Sequence, residues 1–282
     1  MLNVLADFYR AFRRRWVYGL MATLMATGIV ITTPRPSQAV PFLELLLRGI
    51  QVIQLSTLSD NQEVAIGRQI NERLTRQELR LYSGRTINSY VNQIGQRLVP
   101  YSRRPNLPYT FQVVDSNQVN AFATMGGYVY VTTGLITTAD NEAQLASVIG
   151  HEIGHIEARH AVQQLRENAL AQGVLTAAGI DRNAAVNLGV ELALRRPNSR
   201  QDELEADQLG LATLRQAGYA PGEMVAFMRK LLNQSSIPTF LSTHPAVPAR
   251  IEALNRAIDP ATAAVGDGLD RTAYRQQISE LL

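Results

Sequence analysis

The chain has 282 residues, a formal net charge of +3, four histidines and no cysteine. The absence of cysteine excludes disulfides, thiol nucleophiles and thiolate metal sites, so any metal site must use nitrogen and oxygen ligands. Residues 1–39 hold five arginines and one aspartate, which leaves 22 basic and 23 acidic residues in the remainder. The positive charge therefore belongs to the N-terminal segment, and no nucleic-acid partner is expected.

The first 39 residues predict a secretory signal peptide. Arginines cluster in residues 10–15, an uncharged run of 16 residues occupies positions 16–31, and the segment ends on Ala39. As a helix this run would be about 24 Å long, whereas a bilayer-spanning helix needs roughly 20 residues and about 30 Å. We therefore expect cleavage before Val40 and export to the periplasm or an equivalent extracytoplasmic compartment. An uncleaved N-terminal anchor, with membrane association, is the alternative.

Residues 40–258 predict one mostly helical domain, and residues 259–282 predict a weakly structured tail with one short helix. Apolar residues recur at helical spacing after Asp60 and again across residues 86–99. This spacing predicts two amphipathic helices before the first strand.

Only one region of the sequence is strongly β-prone. Residues 109–114 alternate and residues 128–132 are rich in β-branched and aromatic side chains, with a turn at Gly126 and Gly127. Nearly everything that follows predicts helix, beginning with one long helix from about Asn141 to residue 166. A small sheet beside helices is therefore expected.

The Ala- and Leu-rich stretch 168–194 carries only three charged residues and predicts a helical hairpin. Core packing explains its apolar character, and a lid on a hydrophobic partner, such as a membrane surface, is the alternative. Three further helices are predicted at residues 201–216, 221–232 and 245–258.

The motif that carries chemistry is "VIGHEIGHIEARH", which holds three of the four histidines. His151 and His155 are four residues apart, so on a helix they differ by about 40° and both can reach one metal ion. Glu152 lies about 100° from His151, close enough to contact a water bound to that ion. In this H-E-x-x-H arrangement zinc acidifies the water and the glutamate takes its proton. His160 would face away from the metal on a continuous helix, and we expect it to be structural.

A catalytic zinc needs three protein ligands and one open position. Glu203 and Asp207, four residues apart in "RQDELEADQLG", share one helical face, with Glu205 turned away. We expect Glu203 to be the third ligand and Asp207 to hold a ligand histidine through its second ring nitrogen. His244, in "STHP", is a candidate donor to the oxyanion of the reaction.

Four blocks of sequence resemble the HtpX and CAAX-prenyl-protease family of zinc metallopeptidases, and most of all its small periplasmic BepA/LoiP-like branch. They are "NAFATMGGYVYVTTGLI", "NEAQLASVIGHEIGHIEARHA", "SRQDELEADQLGL" and "LSTHPAVPARIEAL", and the resemblance covers residues 61–258. It implies an α+β, mostly helical, zincin-like metallopeptidase domain with a small β-sheet beside the active-site helix. It further implies one Zn²⁺ per chain, held by His151, His155 and Glu203, with Glu152 as the catalytic base.

The resemblance also implies roles for residues around the ligands. Asp207 would support the ligand helix, Arg250 would lie beside the site, and His244 would act as a transition-state donor or as a gate over the zinc.

An edge strand for the substrate is a further implication of the resemblance. The strand led by Gly127, with Asn120 and Ala121 before it, would hold an extended peptide by main-chain pairing, which reads shape rather than sequence. The strand residues implied to bind substrate are Tyr128, Val129 and Tyr130.

We therefore expect a secreted or periplasmic zinc endopeptidase that hydrolyses unfolded or misfolded envelope proteins. The alternative is a zinc-containing chaperone or scaffold for envelope proteins whose proteolysis is latent or absent. His244 bears on both hypotheses, because a zinc ion that also bound this residue would have no open position and the protein would be latent. A CAAX-type processing enzyme, the third candidate, would need a membrane chamber that this sequence lacks after residue 39.

Overall fold

Residues 52–176, 179–195, 197–234 and 236–282 are described by the structure, a computed structural model. The predicted signal peptide and its cleavage site before Val40 lie outside the described residues. Short 3₁₀- or π-helical turns occupy Leu55–Thr57, Leu74–Glu78, Val99–Tyr101 and Ser279–Leu281.

The N-terminal part consists of a short strand, β1 (Val52–Ile53), and two amphipathic helices, α1 (Asp60–Arg73) and α2 (Arg85–Leu98). The Ser59 side chain accepts a hydrogen bond from the Gln62 main chain, and the Gln62 side chain accepts one from the Ser59 main chain. This reciprocal capping fixes the start of α1. Both helices bury their apolar faces, which confirms the two predicted amphipathic helices.

A three-stranded sheet follows, formed by β2 (Thr110–Val114), β3 (Ala121–Thr124) and β4 (Tyr128–Thr132). The strand order is β2-β4-β3, with β2 parallel and β3 antiparallel to β4. The turn at Gly126 and Gly127, both with positive φ, folds β3 back on β4. Because β2 occupies the other side, β4 is the central strand. The prediction that residues 128–132 form an edge strand is therefore wrong, and β3 is an edge.

The predicted long helix after residue 141 is two helices. A short α3 (Thr133–Thr138) precedes α4 (Glu142–Glu157), and α5 (His160–Ala171) begins after a break. Arg159, between α4 and α5, has a left-handed backbone with φ 59°. A non-glycine residue is uncommon in the left-handed region of backbone conformations, so the periodicity of the sequence gave no signal of this change of direction.

A buried carboxylate holds this break in place. Glu63 on α1 is 1% exposed and pairs with Arg104 at 2.8 Å and with Arg159 at 3.1 Å. Arg159 also donates to the main-chain oxygen of Leu58, and Arg104 donates to that of Ile156 in the last turn of α4. The two arginines thereby satisfy a buried charge, and Arg104 also caps the end of α4.

The Ala-rich stretch forms the predicted hairpin, made of α5, the short strand β5 (Ile180–Asp181) and α6 (Arg182–Arg195). Strand β5 pairs antiparallel with β1. The apolar residues of the hairpin pack into a core cluster with α1, which favours core packing over a lid on a membrane. The buried members are Ala169, Ile180, Ala185, Val186, Leu188, Val190 and Leu192.

Five helices complete the domain: α7 (Arg200–Gln216), α8 (Gly222–Leu232), α9 (Thr239–Thr243), α10 (Val247–Ala257) and α11 (Arg271–Gln277). The C-terminal segment contains the predicted short helix but is held more firmly than expected. Tyr274 is 2% exposed and donates a hydrogen bond to the Ile136 main chain, and Ile278 is buried beside it. In the described part of the chain, no helix combines the length and the apolar character needed to cross a membrane.

Helices α4 and α7 pack against each other at very short range. A Cβ added to Gly154 on α4 would lie 2.5 Å from the Ala206 main-chain oxygen, and one added to Gly210 on α7 would lie 2.8 Å from the His151 nitrogen. Only glycine permits this approach at either position. The contact brings side chains of the two helices to a common point in the core.

Candidate metal centre

His151, His155 and Glu203 meet where α4 and α7 cross, and all three are buried. The Nε2 atoms of the two histidines are 3.1 Å apart. Glu203 Oε2 lies 3.5 Å from His151 Nε2, and Glu203 Oε1 lies 3.3 Å from His155 Nε2. The two histidines therefore share one helical face, as their spacing predicted, and the carboxylate from α7 completes a triangle.

The size of this triangle fits a zinc ion. Ligand atoms placed about 2.0–2.1 Å from a tetrahedral zinc lie about 3.3 Å from one another, close to the separations found here. Glu203 Oε2 and Glu152 Oε1 are buried and have ion-pair contacts with Arg250 and His244 but no well-aligned hydrogen bond, so each oxygen retains a lone pair for a further group. The donor set of nitrogen and oxygen atoms is the one that a chain without cysteine must use.

His151 is held by charged groups. Its Nδ1 lies 2.8 Å from Asp207 Oδ1, and Arg250 grips the same carboxylate with two bonds of 2.7 Å. Burial lowers the pKa of His151, but its hydrogen bonds with Asp207 and Glu203 outweigh burial and raise the pKa to about 9. The structure thus places Asp207 on the second ring nitrogen of His151, where the sequence predicted it.

His155 is held by another imidazole instead. Its Nδ1 lies 2.8 Å from the Nδ1 of His160, whose Nε2 is 3.4 Å from Glu205 and 3.9 Å from Asp202. Burial, assisted by the charge of His151, lowers the pKa of His155 to about 4 despite its contact with Glu203.

The prediction that His160 faces away from the metal is therefore wrong. It assumed a continuous helix, whereas the left-handed Arg159 turns the first residue of α5 back towards α4. Glu205, expected on the far side of its helix, lies beside His160 and is 51% exposed at its side chain.

Glu152 and His244 form a second pair beside the triangle. His244 Nε2 lies 3.3 Å from Glu152 Oε1, and its Nδ1 lies 3.1 Å from the main-chain oxygen of Phe240. Burial raises the pKa of Glu152, but the charge of His244 and the contact with it outweigh burial and lower the pKa below its usual value. His244 is also close enough to be a fourth ligand, since one potential ligand atom from each of the four residues falls within 4.8 Å.

Arg250 connects these groups from α10. It is fully buried, and its Nη1 lies 2.6 Å from Glu203 Oε2 and donates to the main-chain oxygen of His244. The same side chain binds Asp207. The arginine implied by the resemblance thus contacts a candidate ligand, a supporting carboxylate and the segment that carries His244.

A cavity opens from the metal centre along edge strand β3. Helices α1, α4, α5 and α6 form its other walls. Apolar surface predominates in its lining, which also includes Glu63, Thr124 and Arg159 besides the polar groups of the centre. Its apolar lining includes Ile70, Phe122, Ala123, Met125, Ile156, Ala161, Val162, Leu192 and Ala193.

The predicted substrate-binding residues fall into two groups. Asn120 and Ala121 belong to the β3 side of the sheet, and the Asn120 amide oxygen accepts a hydrogen bond from Thr243, next to His244. In contrast, the main chain of β4 is paired on both sides, so it cannot bind a peptide. This corrects the assignment of Tyr128, Val129 and Tyr130, while the main-chain oxygen of Gly127, in the turn before β4, accepts a hydrogen bond from Thr110.

Two further polar residues at the centre were not predicted. Asn198, in the loop before α7, donates a hydrogen bond of 2.7 Å to Glu203 Oε1. Gln164 on α5 donates to the Asn198 side chain. The sequence offered no signal for either residue, because each acts through contacts with distant parts of the chain.

Two crossed helices that bring His151, His155 and Glu203 to one buried point, with Glu152 beside them, define a metalloendopeptidase of the H-E-x-x-H class. Residues 86–258 match the model of Peptidase family M48, and the chain belongs to this family. The match confirms the predicted family, the predicted enzyme class and the mostly helical zincin-like fold.

Three similar proteins each match between about half and three quarters of the chain. The chain is 33% identical over 220 residues to the "Beta-barrel assembly-enhancing protease" of Escherichia coli strain K12, a match that covers 72% of this chain and 45% of the relative. It is 39% identical over 150 residues to the mitochondrial metalloendopeptidase OMA1 of Arabidopsis thaliana, covering 51% and 30% of the two chains. For OMA1 of Danio rerio the identity is 31% over 196 residues, covering 63% and 41%. The chain thus spans about half the length of these relatives or less.

Proposed function

We propose that the protein is an exported, zinc-dependent endopeptidase that hydrolyses peptide bonds in unfolded or misfolded envelope proteins. The observation that carries the proposal is the triangle of His151, His155 and Glu203, with the Glu152 carboxylate beside it. One zinc ion per chain would be held by the triangle. When bound, zinc would polarise the scissile carbonyl and acidify a water molecule.

Glu152 is the base of the proposed mechanism. Its lowered pKa keeps the carboxylate ionised, as is required to take a proton from the water. After attack on the carbonyl the same residue returns the proton to the leaving amine. His244 Nε2 lies 3.3 Å from Glu152 Oε1, so the imidazolium form of His244 can donate from Nε2 to the developing oxyanion. Its Nδ1 contact with the Phe240 main chain orients the ring for that role.

The substrate would bind as an extended strand along β3. Residues opposite each other in an antiparallel pair alternate between hydrogen-bonded and non-bonded positions, and Asn120 accepts from the main chain of Thr132. By this alternation, the main-chain groups of Ala121 and Ala123 point away from β4 and can pair with a peptide. Such pairing requires an extended and unfolded substrate, and the apolar cavity beside it favours hydrophobic side chains.

Export and quality control are supported by two different observations. The N-terminal residues have the charge and apolar pattern of a secretory signal peptide. One relative is named a beta-barrel assembly-enhancing protease, a name that connects that protein with the assembly of β-barrels. We extend this setting to the present chain as part of the proposal, with protein substrates and an extracytoplasmic location.

The test is digestion of an unfolded protein, reduced and alkylated casein, by the full-length chain with and without a chelator. Glu152→Gln should keep bound zinc but lose about 10²–10⁴-fold in hydrolysis, since only the proton transfer is removed. Glu167→Gln, the same change at an exposed position on α5, serves as control and should match the wild type. Undiminished turnover by Glu152→Gln would refute the assigned base.

A latent protein or a zinc-containing chaperone is the second candidate, and the position of His244 favours it. This histidine is 2% exposed and close enough to the triangle to occupy the fourth position on a metal ion. In the casein assay, faster hydrolysis by His244→Ala would identify a gate, whereas a 10²–10³-fold loss would identify an oxyanion donor. Suppression of aggregation without any cleavage, equal in wild type and Glu152→Gln, would identify a chaperone.

A further inference from the structure

Asn198 occupies a position that the proposed mechanism does not use. Its Nδ2 donates a hydrogen bond of 2.7 Å to Glu203 Oε1 and lies 3.4 Å from His155 Nε2. Its Oδ1 accepts a hydrogen bond of 2.7 Å from Gln164 Nε2 on α5. A half-buried amide thus stands between one helix of the hairpin and the carboxylate of the metal centre.

The chemistry of the groups fixes the direction of this chain of hydrogen bonds. An ionised carboxylate only accepts, so Asn198 must present its NH₂ group to Glu203 and its oxygen to Gln164. Gln164 must then present its own NH₂ group to Asn198. Each amide therefore has one orientation, which Glu203 alone determines.

The main chain around Asn198 is also fixed. Its N–H donates to the main-chain oxygen of Thr243 at 3.1 Å, next to His244. Ser199 then caps α7 through reciprocal bonds with Asp202. Both flanks are thereby anchored, so the amide is held in place before any ligand binds.

Glu203 needs such a partner. The terminal torsion of a glutamate is broad, so its carboxylate plane is not determined by its own rotamer. Arg250 pairs with Oε2 from one side and Asn198 bonds Oε1 from the other. Together they hold the plane in which the carboxylate must present a lone pair to the metal.

We propose that Gln164 and Asn198 form a positioning relay for the third metal ligand, in which Gln164 orients Asn198 and Asn198 orients Glu203. The relay rests on the proposed zinc site and adds two residues that touch neither the substrate nor the reacting atoms. Outer hydrogen-bond partners of this kind alter metal affinity by about 10–100-fold.

The test is the zinc affinity of the full-length chain, measured by competition with a chelator of known zinc affinity. Asn198→Ala should lower the affinity about 10–100-fold because Oε1 of Glu203 loses its donor. Gln164→Glu should lower it by a similar factor. The new carboxylate competes with Glu203 for the NH₂ group of Asn198. Whichever carboxylate is not bonded to that group faces the side-chain oxygen of Asn198. Gln164→Ala removes only the orientation of Asn198 and should fall between these variants and the wild type.

Two comparisons make the result decisive. Gln172→Glu adds the same charge at an exposed position at the end of α5, and it should retain wild-type affinity. The double variant of Gln164→Glu with Asn198→Ala should lose no more affinity than Asn198→Ala alone, because both changes break one chain. Melting of the metal-free variants verifies that each is folded.

Additive losses, or unchanged affinity in Asn198→Ala, would overturn the relay while leaving the zinc enzyme intact. A wild-type chain that binds no zinc would instead refute the proposed function itself. The two failures are therefore distinguishable in one set of measurements.

Discussion

His151 and His155 stand one turn apart on the same helix, yet their surroundings are opposite in character. His151 is enclosed by Asp207 and Arg250, a pair of full charges, and its pKa is raised to about 9. His155 bonds another imidazole, His160, at the inner end of an apolar cavity, and its pKa is lowered to about 4. The spacing of the motif gives the two histidines equivalent positions towards the metal, but hydrogen bonds with Asp207 and Glu203 raise the pKa of His151, whereas burial lowers that of His155.

The origin of the partners explains this difference. The supports of His151 come from α7, which packs closely against α4, and from α10, and both side chains are buried. The support of His155 comes from the first residue of the next helix, through the left-handed turn at Arg159. A carboxylate support in the core must be paired completely, whereas an imidazole support near a cavity tolerates access to solvent. Breaking the contacts of Asp207 and Arg250 should therefore destabilise the protein more than removing His160.

Arg250→Leu is expected to have the largest effect. The substitution leaves Asp207 and Glu203 as two buried carboxylates without their cation, and breaking a buried pair costs about 3–5 kcal/mol. The measurement is the free energy of unfolding of the metal-free chain in urea. Arg256→Leu on the same helix is the control, because that arginine is 68% exposed and pairs with an exposed Glu252. The control should change stability by about 0.5 kcal/mol or less.

Arg250→Lys refines the same comparison if Arg250→Leu does not fold. A lysine is a point charge and cannot bind Asp207 in the two-pronged manner of a guanidinium. Its stability should lie between that of Arg250→Leu and that of the wild type. Equal stability of Arg250→Leu and Arg256→Leu would contradict the view that the His151 side depends on complete charge pairing.

His160→Phe should have an intermediate effect. Phenylalanine keeps a flat ring between α4 and α5 but offers no acceptor to Nδ1 of His155, so the imidazole loses its orientation. We expect zinc affinity to fall about tenfold, equivalent to about 1.4 kcal/mol. His160→Asn places an amide oxygen near the original acceptor and should restore part of the loss. Equal affinities of the two variants would show that His160 serves only to fill space.

Sequence alone predicted the part of the centre that depends on helical spacing. His151, His155, Glu203 and Asp207 follow from residues four apart, a relation that any regular helix guarantees. The turn at Arg159 was missed, since nothing local marks a left-handed arginine.

The order of the sheet was also missed, because it is a long-range property. Residues 110–114 and 128–132 are recognisable as strands, yet their parallel pairing is what moves β4 to the centre and leaves β3 at the edge. Asn198 and Gln164, which are 34 positions apart in the chain, meet only in the folded protein. What the sequence could not predict is therefore the set of contacts between distant segments.

Glu205→Gln should have the smallest effect and gives the sharpest comparison of the two supports. Glu205 is the outermost carboxylate behind His155, as Asp207 is behind His151, and both lie on α7. Asp207 is 3% exposed at its side chain and 2.8 Å from its imidazole, whereas Glu205 is 51% exposed and 3.4 Å from His160. Water and salt screen an exposed pair of this kind to a fraction of a kcal/mol.

We therefore expect Glu205→Gln to change zinc affinity less than about twofold, and Asp207→Asn to lower it at least about tenfold. Both variants exchange a carboxylate for an amide of the same shape on one helix, so the burial of the lost charge is what separates them. Measurement at low and high ionic strength adds a second criterion. Any effect of Glu205→Gln should vanish in high salt, while that of Asp207→Asn should persist because its charge is shielded from ions by the core. A loss of equal size in both variants would mean that His160 transmits the charge of Glu205 to His155, and the support of His155 would then be as ionic as that of His151.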